Sequence, residues 1–198
     1  MKGFLVALCV LVLGVVVVGS YGIGTLNNFA TLDESAKAAW AKVENQYQRR
    51  ADLIPNLVNV VKGYASHEQD TLSKVIEARN YASQMAKPSA DLSDEKIFKS
   101  YQSAQDNLSA QLKNLLVVVE RYPDLKANQN FISLQDQLEG TENRIANARR
   151  EYIEAVQSYN TKLRQIPAGW IAKSFGSYEP KAVFEAREGA AEVPVVEF

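Results

Sequence analysis

Apolar residues recur along most of this chain with the period of an amphipathic α-helix, but the N-terminal part is apolar throughout. Between Lys2 and Asp33 no residue is charged, and residues 4–18 read FLVALCVLVLGVVVV. Extended to Ile23, this run reaches roughly 20 residues, the length that spans the hydrocarbon core of a bilayer. We therefore predict a single transmembrane anchor over residues 1–24.

A cleaved signal peptide is the alternative interpretation, because the small residues Gly19, Ser20 and Gly22 could form a cleavage site. The length of the uncharged run and the lack of an Ala-x-Ala sequence favour a retained anchor. Lys2 and the amino terminus are positive on one side of the span, and on the other side the first cation is Lys37. The positive-inside rule then predicts a cytoplasmic N-terminus, with the rest of the chain outside the inner cell membrane.

The apolar positions that follow residue 33 predict four long helices. Their alternating spacing of four and three residues marks helices that face a bundle core, as in coiled coils. They cover about 33–62, 66–86, 94–121 and 128–166, and the Pro-, Ser- and Asp-rich segment 87–94 is predicted to be a loop. The fold class is therefore all-α, with residues 25–166 as an antiparallel up-down-up-down four-helix bundle and 167–198 as a partly ordered tail.

Local signals predict where the first two of these helices begin and end. Thr31 and Asp33 are suitable N-caps for the first helix, and Gly63 is a suitable C-cap. Ser66 and Gln69 have capping-box spacing, which predicts that the second helix starts at Ser66.

Composition and charge exclude several classes of function. The chain has 22 basic and 23 acidic residues, so it lacks the basic excess of nucleic-acid-binding proteins. One cysteine and one histidine exclude an internal disulfide and the usual zinc ligand sets. The paired Glu-x-x-His motifs of di-metal helical bundles cannot be formed either. We expect no enzymatic activity, no cofactor, no metal and no nucleic-acid partner.

Four motifs of the chain resemble those of the LemA family. They are RRADLIPNLVNVVKGYASHE at 49–68, EAR at 77–79, YPDLKANQNFISLQDQLEGTENRIANARREY at 122–152 and YN at 159–160, and the resemblance extends over about 26–186. It implies a membrane-associated antiparallel helical bundle with no established enzymatic activity. Many members end the apolar run with a lipidated cysteine, whereas this chain has Gly19-Ser20-Tyr21 there, which leaves the helix to anchor the protein.

Charged residues on the apolar seams predict a buried polar layer. Arg50, Arg79 and Glu142 belong to three different helices, and each lies about 20 Å from the same end of the predicted bundle. Because an arginine in an apolar seam needs a carboxylate at its own depth, we expect Glu142, together with Glu139, to pair with both arginines. Arg149 is a further candidate member. The layer either sets the register of the helices, which we favour, or forms a ligand-binding or catalytic site.

The turns at 63–66 and 122–127 meet at the membrane-distal end of the predicted bundle, which we call the distal tip. Turn chemistry alone explains part of this pattern, but aromatic and polar side chains in exposed loops also suit a protein-binding patch. The candidate partner-binding residues are Tyr64, His67, Glu68, Tyr122, Pro123, Asp124, Asn128 and Asn130.

The segment IPAGWIAKSFGSYEP, at 166–180, returns to the membrane side in this arrangement. Its aromatic and basic residues, with the lysine that follows, resemble a set that lies at a membrane interface: Trp170, Lys173, Phe175, Tyr178 and Lys181. The alternative, which we slightly favour, is that these residues close the open end of the bundle.

Together these features favour a membrane-anchored adaptor or scaffold whose distal tip binds a protein partner in or at the membrane. Two alternatives stay open. A ligand-sensing or hydrolytic protein would use the Arg/Glu layer, and an accessible cavity beside that layer would support it. A self-assembling envelope protein would instead form homo-oligomers through its helix faces.

Overall fold

A computed structural model describes residues 2–176 and 178–185 of the chain, and its dominant element is one unbroken helix, α1, over Lys2–Tyr64. At 1.5 Å per residue this helix is about 95 Å long. Its N-terminal part is exposed, and it is long and apolar enough to cross a membrane. The predicted long N-terminal apolar helix is therefore confirmed, and it is a candidate membrane span.

The predicted helix start at Thr31 or Asp33 is wrong, because α1 passes through both residues without interruption. Extending a helix is easier than starting one, so the N-terminal apolar helix continues into the following residues. The Thr31 hydroxyl donates to the Asn27 carbonyl within the helix, at 3.0 Å, instead of capping a new helix. Asp33 pairs with Lys37 and Lys181.

The other elements are helical too, and no strand occurs in the two described ranges. They are α2 (Gln69–Gln84), a 3-10 turn (Pro88–Ala90), α3 (Glu95–Val119), α4 (Pro123–Lys126), α5 (Gln129–Arg164) and α6 (Ala168–Ile171), which continues into a π-helical turn (Ala172–Gly176). The prediction of an all-α chain is confirmed.

Helix ends agree with local signals in some places and not in others. Asp94 and Asn128 cap α3 and α5, since each side chain accepts hydrogen bonds from two backbone N–H groups of the first turn. The capping box at Ser66 is wrong, because α2 starts at Gln69 and has no side-chain cap. Gly63 is helical, and α1 ends one residue later. A tight turn over residues 65–68 takes up the connection that the capping box was expected to form.

Side-chain contacts show how the long helices run past one another. α1 and α5 are antiparallel, since Lys42 pairs with Glu151 at one level and Tyr64 contacts Asn128 near the end of α1. α1 and α3 run in the same direction, because Trp40 lies against Phe98 and Arg50 contacts Gln105. α2 packs mainly along α3.

The described residues form three hydrophobic core clusters along the length of the molecule. An aliphatic cluster lies toward the distal tip and includes Ile54, Leu57, Val61, Val75, Leu108, Leu115 and Phe131. An aromatic cluster follows, with Trp40, Tyr47, Phe98, Tyr101 and Tyr152. A basal cluster of Phe29, Tyr159, Leu163, Ala168 and Ala172 lies closest to the candidate span.

A segment without helix or strand, residues 178–185, covers the part of the aromatic cluster that α2 is too short to reach. The Asn160 side chain exchanges two hydrogen bonds of 2.9 Å with the backbone of Lys181. The Tyr152 hydroxyl donates to the Ala182 carbonyl at 2.8 Å. Phe184 then places its ring 5.0 Å from that of Phe98, so the C-terminal chain completes the core.

Candidate functional site

Arg50 is the central charged residue of the interior, and only 1% of it is exposed. From α1 its guanidinium donates to Glu142 Oε1 of α5 at 2.8 Å and to Ser109 Oγ of α3 at 2.6 Å. It also donates to the side-chain and backbone oxygens of Gln105, at 2.6 and 3.2 Å. The cation carried by α1 is thus bound by oxygen atoms of α3 and α5, at the boundary between the aliphatic and aromatic clusters.

Of the residues predicted for the polar layer, the structure brings Arg50 and Glu142 together but not the others with them. Arg79 donates through Nε to the Ala51 carbonyl at 2.8 Å. Glu139 is exposed and accepts a hydrogen bond of 3.0 Å from Gln135. Arg79 thus connects α2 to the backbone of α1 through this hydrogen bond, and not through the predicted carboxylate of Glu142.

Arg149 belongs to a second, adjacent ion pair. It lies 3.1 Å from Asp106 of α3 and donates to the Tyr47 hydroxyl at 2.8 Å. The Tyr47 ring lies 5.3 Å from the Arg50 guanidinium and 5.5 Å from that of Arg149, so one aromatic ring connects both pairs. Burial raises the pKa of the Tyr47 phenol, although both arginines oppose this shift. The phenol therefore stays a neutral hydrogen-bonding group.

Sequence reasoning missed four residues of this network: Tyr47, Gln105, Asp106 and Ser109. Gln105 and Ser109 are four residues apart on one face of α3, next to Leu108 and Leu112. Comparing depths on this helix, as on the other three, would have found them. Asp106 lies off the seam and carried no comparable signal.

A groove of about 350 Å³ lies between α3 and α5 beside this network. Leu57, Leu112 and Leu138 give it apolar walls, and Lys113, Glu139 and Glu142 are charged groups along it. The Glu142 side chain is 43% exposed, whereas Arg50 beneath it is 1% exposed. The carboxylate of the pair is therefore reachable from solvent, and the cation is not.

The eight candidate residues of the distal tip lie at one end of the molecule, where two side-chain networks connect the turns. Glu68 Oε1 accepts hydrogen bonds from Arg121 and from the Tyr122 hydroxyl, both at 2.8 Å. The hydrogen bond to Glu68 raises the pKa of the Tyr122 phenol. Asn128 donates to the Tyr64 hydroxyl at 2.8 Å.

These networks hold an exposed surface in place. Tyr64 is 46% exposed. His67, Pro123, Asp124 and Asn130 are exposed as well. Leu125 of α4 is fully buried beneath them and ties the short helix to the aliphatic cluster. The distal tip therefore has a polar and aromatic surface on a fixed base.

The predicted interfacial set divides into buried and exposed members. Tyr178 stacks on Phe29 with ring centroids 5.3 Å apart. Lys181 is buried, pairs with Asp33 at 2.5 Å and lies 4.8 Å from the Tyr159 ring centroid. Trp170, Lys173 and Phe175 are exposed. Tyr178 and Lys181 thus pack against this end of the molecule, whereas the other three side chains face outward.

No group of three or more His, Cys, Asp or Glu side chains able to hold a metal ion occurs in the part of the chain that the structure describes. Cys9 lies exposed on the apolar part of α1.

Comparison with known proteins finds that the model of the LemA family matches residues 39–198. The chain is similar to magnetosome protein MamQ 2 of Paramagnetospirillum magneticum, with 26% identity over 186 residues, which cover 86% of this chain and 68% of the relative. It is similar to magnetosome protein MamQ of Magnetospirillum gryphiswaldense, with 26% identity over 166 residues, 76% of this chain and 61% of the relative. Protein LemA of Metamycoplasma hominis is 24% identical over 167 residues, 84% of this chain and 71% of the relative.

Proposed function

The chain belongs to the LemA family, and from that premise we propose that it is a membrane-anchored, non-enzymatic scaffold that presents its distal tip to a protein partner. In this proposal residues 1–24 cross the inner cell membrane once, with the N-terminus in the cytoplasm. The four long helices form an up-down-up-down bundle over residues 25–166 on the other side.

The observation that carries the proposal is the continuity of α1 from the span to the distal tip. Tyr64 lies about 60 Å beyond Gly24 along this helix, since an α-helix rises 1.5 Å per residue. α5 packs antiparallel against α1 and stiffens it. A surface held at a set height above a bilayer suits a protein that positions a partner.

The chemistry of the distal tip supports a protein as that partner. Tyr64 offers an exposed aromatic ring with a polar end, and tyrosine is enriched in protein interfaces. The hydrogen bonds of Glu68 and Asn128 fix the turns before any partner arrives. A surface ordered in advance loses less conformational entropy on binding.

A second candidate function, favoured by the groove between α3 and α5, is the sensing of a small ligand. The groove combines apolar walls with the exposed carboxylate of Glu142, whose partner Arg50 contacts α3. A ligand that bound Glu142 would change the contacts of a buried cation that touches three helices. This candidate function would use Arg50 and Glu142, the same pair that the predicted helix-register role requires.

Site-specific photo-crosslinking in native membranes tests the proposal. A photoreactive amino acid replaces His67 in the full-length chain, and a matched control replaces Gln157, which is exposed on α5 far from the distal tip. We expect one defined protein to be captured from position 67 and not from position 157. Products that contain only copies of this chain would support self-assembly instead. Absence of any product from position 67 would contradict the scaffold role and leave the groove as the better candidate.

A further inference from the structure

Three large apolar side chains after the end of α5 are exposed to an unusual degree. Ile166, Trp170 and Phe175 are 73%, 68% and 79% exposed. Outside α1 they are the most exposed large hydrophobic side chains that the structure describes, and they fall within one stretch of the chain. Isolated apolar residues at a surface are ordinary, but a group of this kind marks a contact surface. We call residues 166–176 the basal segment.

The basal segment lies at the level where α1 leaves the candidate span. Ala168 and Ala172 pack in one cluster with Phe29 of α1, which is fully buried. Phe29 lies about 8 Å beyond Gly24 along the helix axis. The headgroup region of a bilayer extends roughly 5–8 Å beyond each face of its hydrocarbon core. The basal segment therefore lies at the height of the lipid headgroups.

Packing on one side of the basal segment directs its large side chains to the other side. Ala168 and Ala172 are buried toward α1 and α5. Gly169 makes a close approach to α5, where a Cβ atom would lie 2.1 Å from the Leu163 carbonyl oxygen. Small residues thus fill the inner side, while Trp170 and Phe175 are exposed.

Positive charge accompanies these apolar side chains. Arg164 and Lys173 line, together with Trp170, a groove of about 340 Å³. Neither cation forms an ion pair with a residue in the described ranges. Tryptophan beside arginine and lysine is the combination that lies at membrane interfaces, where the ring reaches the acyl region and the cation meets lipid phosphate.

We propose that the basal segment is a second membrane contact, which inserts Ile166, Trp170 and Phe175 into the interfacial region of the bilayer that α1 crosses. This inference rests on the proposed function, because it requires α1 to span the membrane. The chain is then attached at two points, by a span and by an interfacial patch. Two points of attachment restrict how far the bundle tilts, which keeps the distal tip at its height.

Tryptophan fluorescence of the full-length chain in lipid vesicles tests this contact. The chain has two tryptophans, so the variant Trp40→Phe reports Trp170 alone, and Trp170→Phe reports the buried Trp40. In vesicles whose phosphatidylcholine carries bromine near the start of the acyl chains, we expect Trp170 emission to fall about twofold and Trp40 emission to stay unchanged. The difference between the unmodified chain and Trp170→Phe gives the same information with an unaltered core.

A third variant separates failure of this contact from failure of the anchor. Tyr21→Trp, made in a chain with both natural tryptophans replaced by phenylalanine, reports the outer end of the span, about 4.5 Å inside Gly24 and so near the depth of the bromine atoms. If bromine quenches that reporter but not Trp170, the basal contact is overturned and the anchor stands. If it quenches neither, the proposed function fails as well. Emission of Trp170 that is blue-shifted but not quenched would mean that protein covers the patch, and this also overturns the contact.

Discussion

The guanidinium of Arg50 lies between two hydrophobic clusters, and its partners come from helices distant in sequence. Glu142, Gln105 and Ser109 can reach it together only at one relative offset of α1, α3 and α5. A slip of one turn, about 5 Å, would leave the cation buried without a carboxylate, which is strongly unfavourable. At the residue scale, this network therefore selects the register of the helices.

Replacing Glu142 tests that role. Glu142→Ala leaves Arg50 buried without its carboxylate, so we expect the free energy of unfolding to fall by about 2 kcal/mol. The value is smaller than for a fully buried pair, because the Glu142 side chain is 43% exposed and Gln105 and Ser109 still accept hydrogen bonds from Arg50. The measurement is chemical denaturation of the chain in detergent. Glu139→Ala is the matched control, since Glu139 is exposed one turn away. Equal stability of the two variants would contradict the register role.

At the scale of elements, the different lengths of α2 and α3 explain why residues 178–185 are part of the core. α2 has 16 residues and α3 has 25. At the rise of an α-helix, α2 is about 14 Å shorter and leaves part of the aromatic cluster uncovered. Phe184 fills that space between Trp40, Phe98 and Tyr152.

We expect Phe184→Ala to reduce the free energy of unfolding by about 2 kcal/mol, because the ring is partly buried and a fully buried phenylalanine is worth more. Val183→Ala, at a neighbouring residue that is 42% exposed, should cost less than about 0.5 kcal/mol. Thermal unfolding followed by circular dichroism measures both. Similar losses in the two variants would show that residues 178–185 do not complete the core.

Helix periodicity predicted the existence of the long helices, because each buries an apolar stripe against its neighbours. It did not predict the continuity of α1. A cap at Thr31 or Asp33 is only a local preference, and two effects override it: propagation of the N-terminal apolar helix and the packing of Phe29. Counting residues gave the shared depth of Arg50 and Glu142, but depth says nothing of rotation about a helix axis. Arg79 was predicted at the same depth, but its side chain donates to the Ala51 carbonyl and not to Glu142. Residues 178–185 form neither helix nor strand, and their sequence has no helical period, so periodicity could not predict that they pack in the core.

The whole molecule is organised along α1, which connects a candidate membrane span, a basal cluster, an aromatic cluster, a polar network and an aliphatic cluster in that order. The three clusters and the polar network each contain residues of α1 and α5, so the two helices act as a common support. Under the proposed function, this support sets the height of the distal tip above the bilayer. The height is the property of the whole chain on which the scaffold role depends.

The claim that α1 holds the distal tip away from the bilayer is tested by the distance between the two. Energy transfer from a single donor dye to acceptor lipids measures this distance. In a Cys9→Ser chain, His67→Cys carries the donor, and Ser174→Cys in the exposed basal segment is the control. We predict that the dye at position 67 lies about 60 Å beyond the hydrocarbon boundary at Gly24, and so about 50–55 Å from the bilayer surface, with weak transfer, while the dye at position 174 transfers strongly. Strong and equal transfer from both positions would mean that the helices lie along the membrane. That result would contradict the proposal that α1 holds the distal tip away from the bilayer.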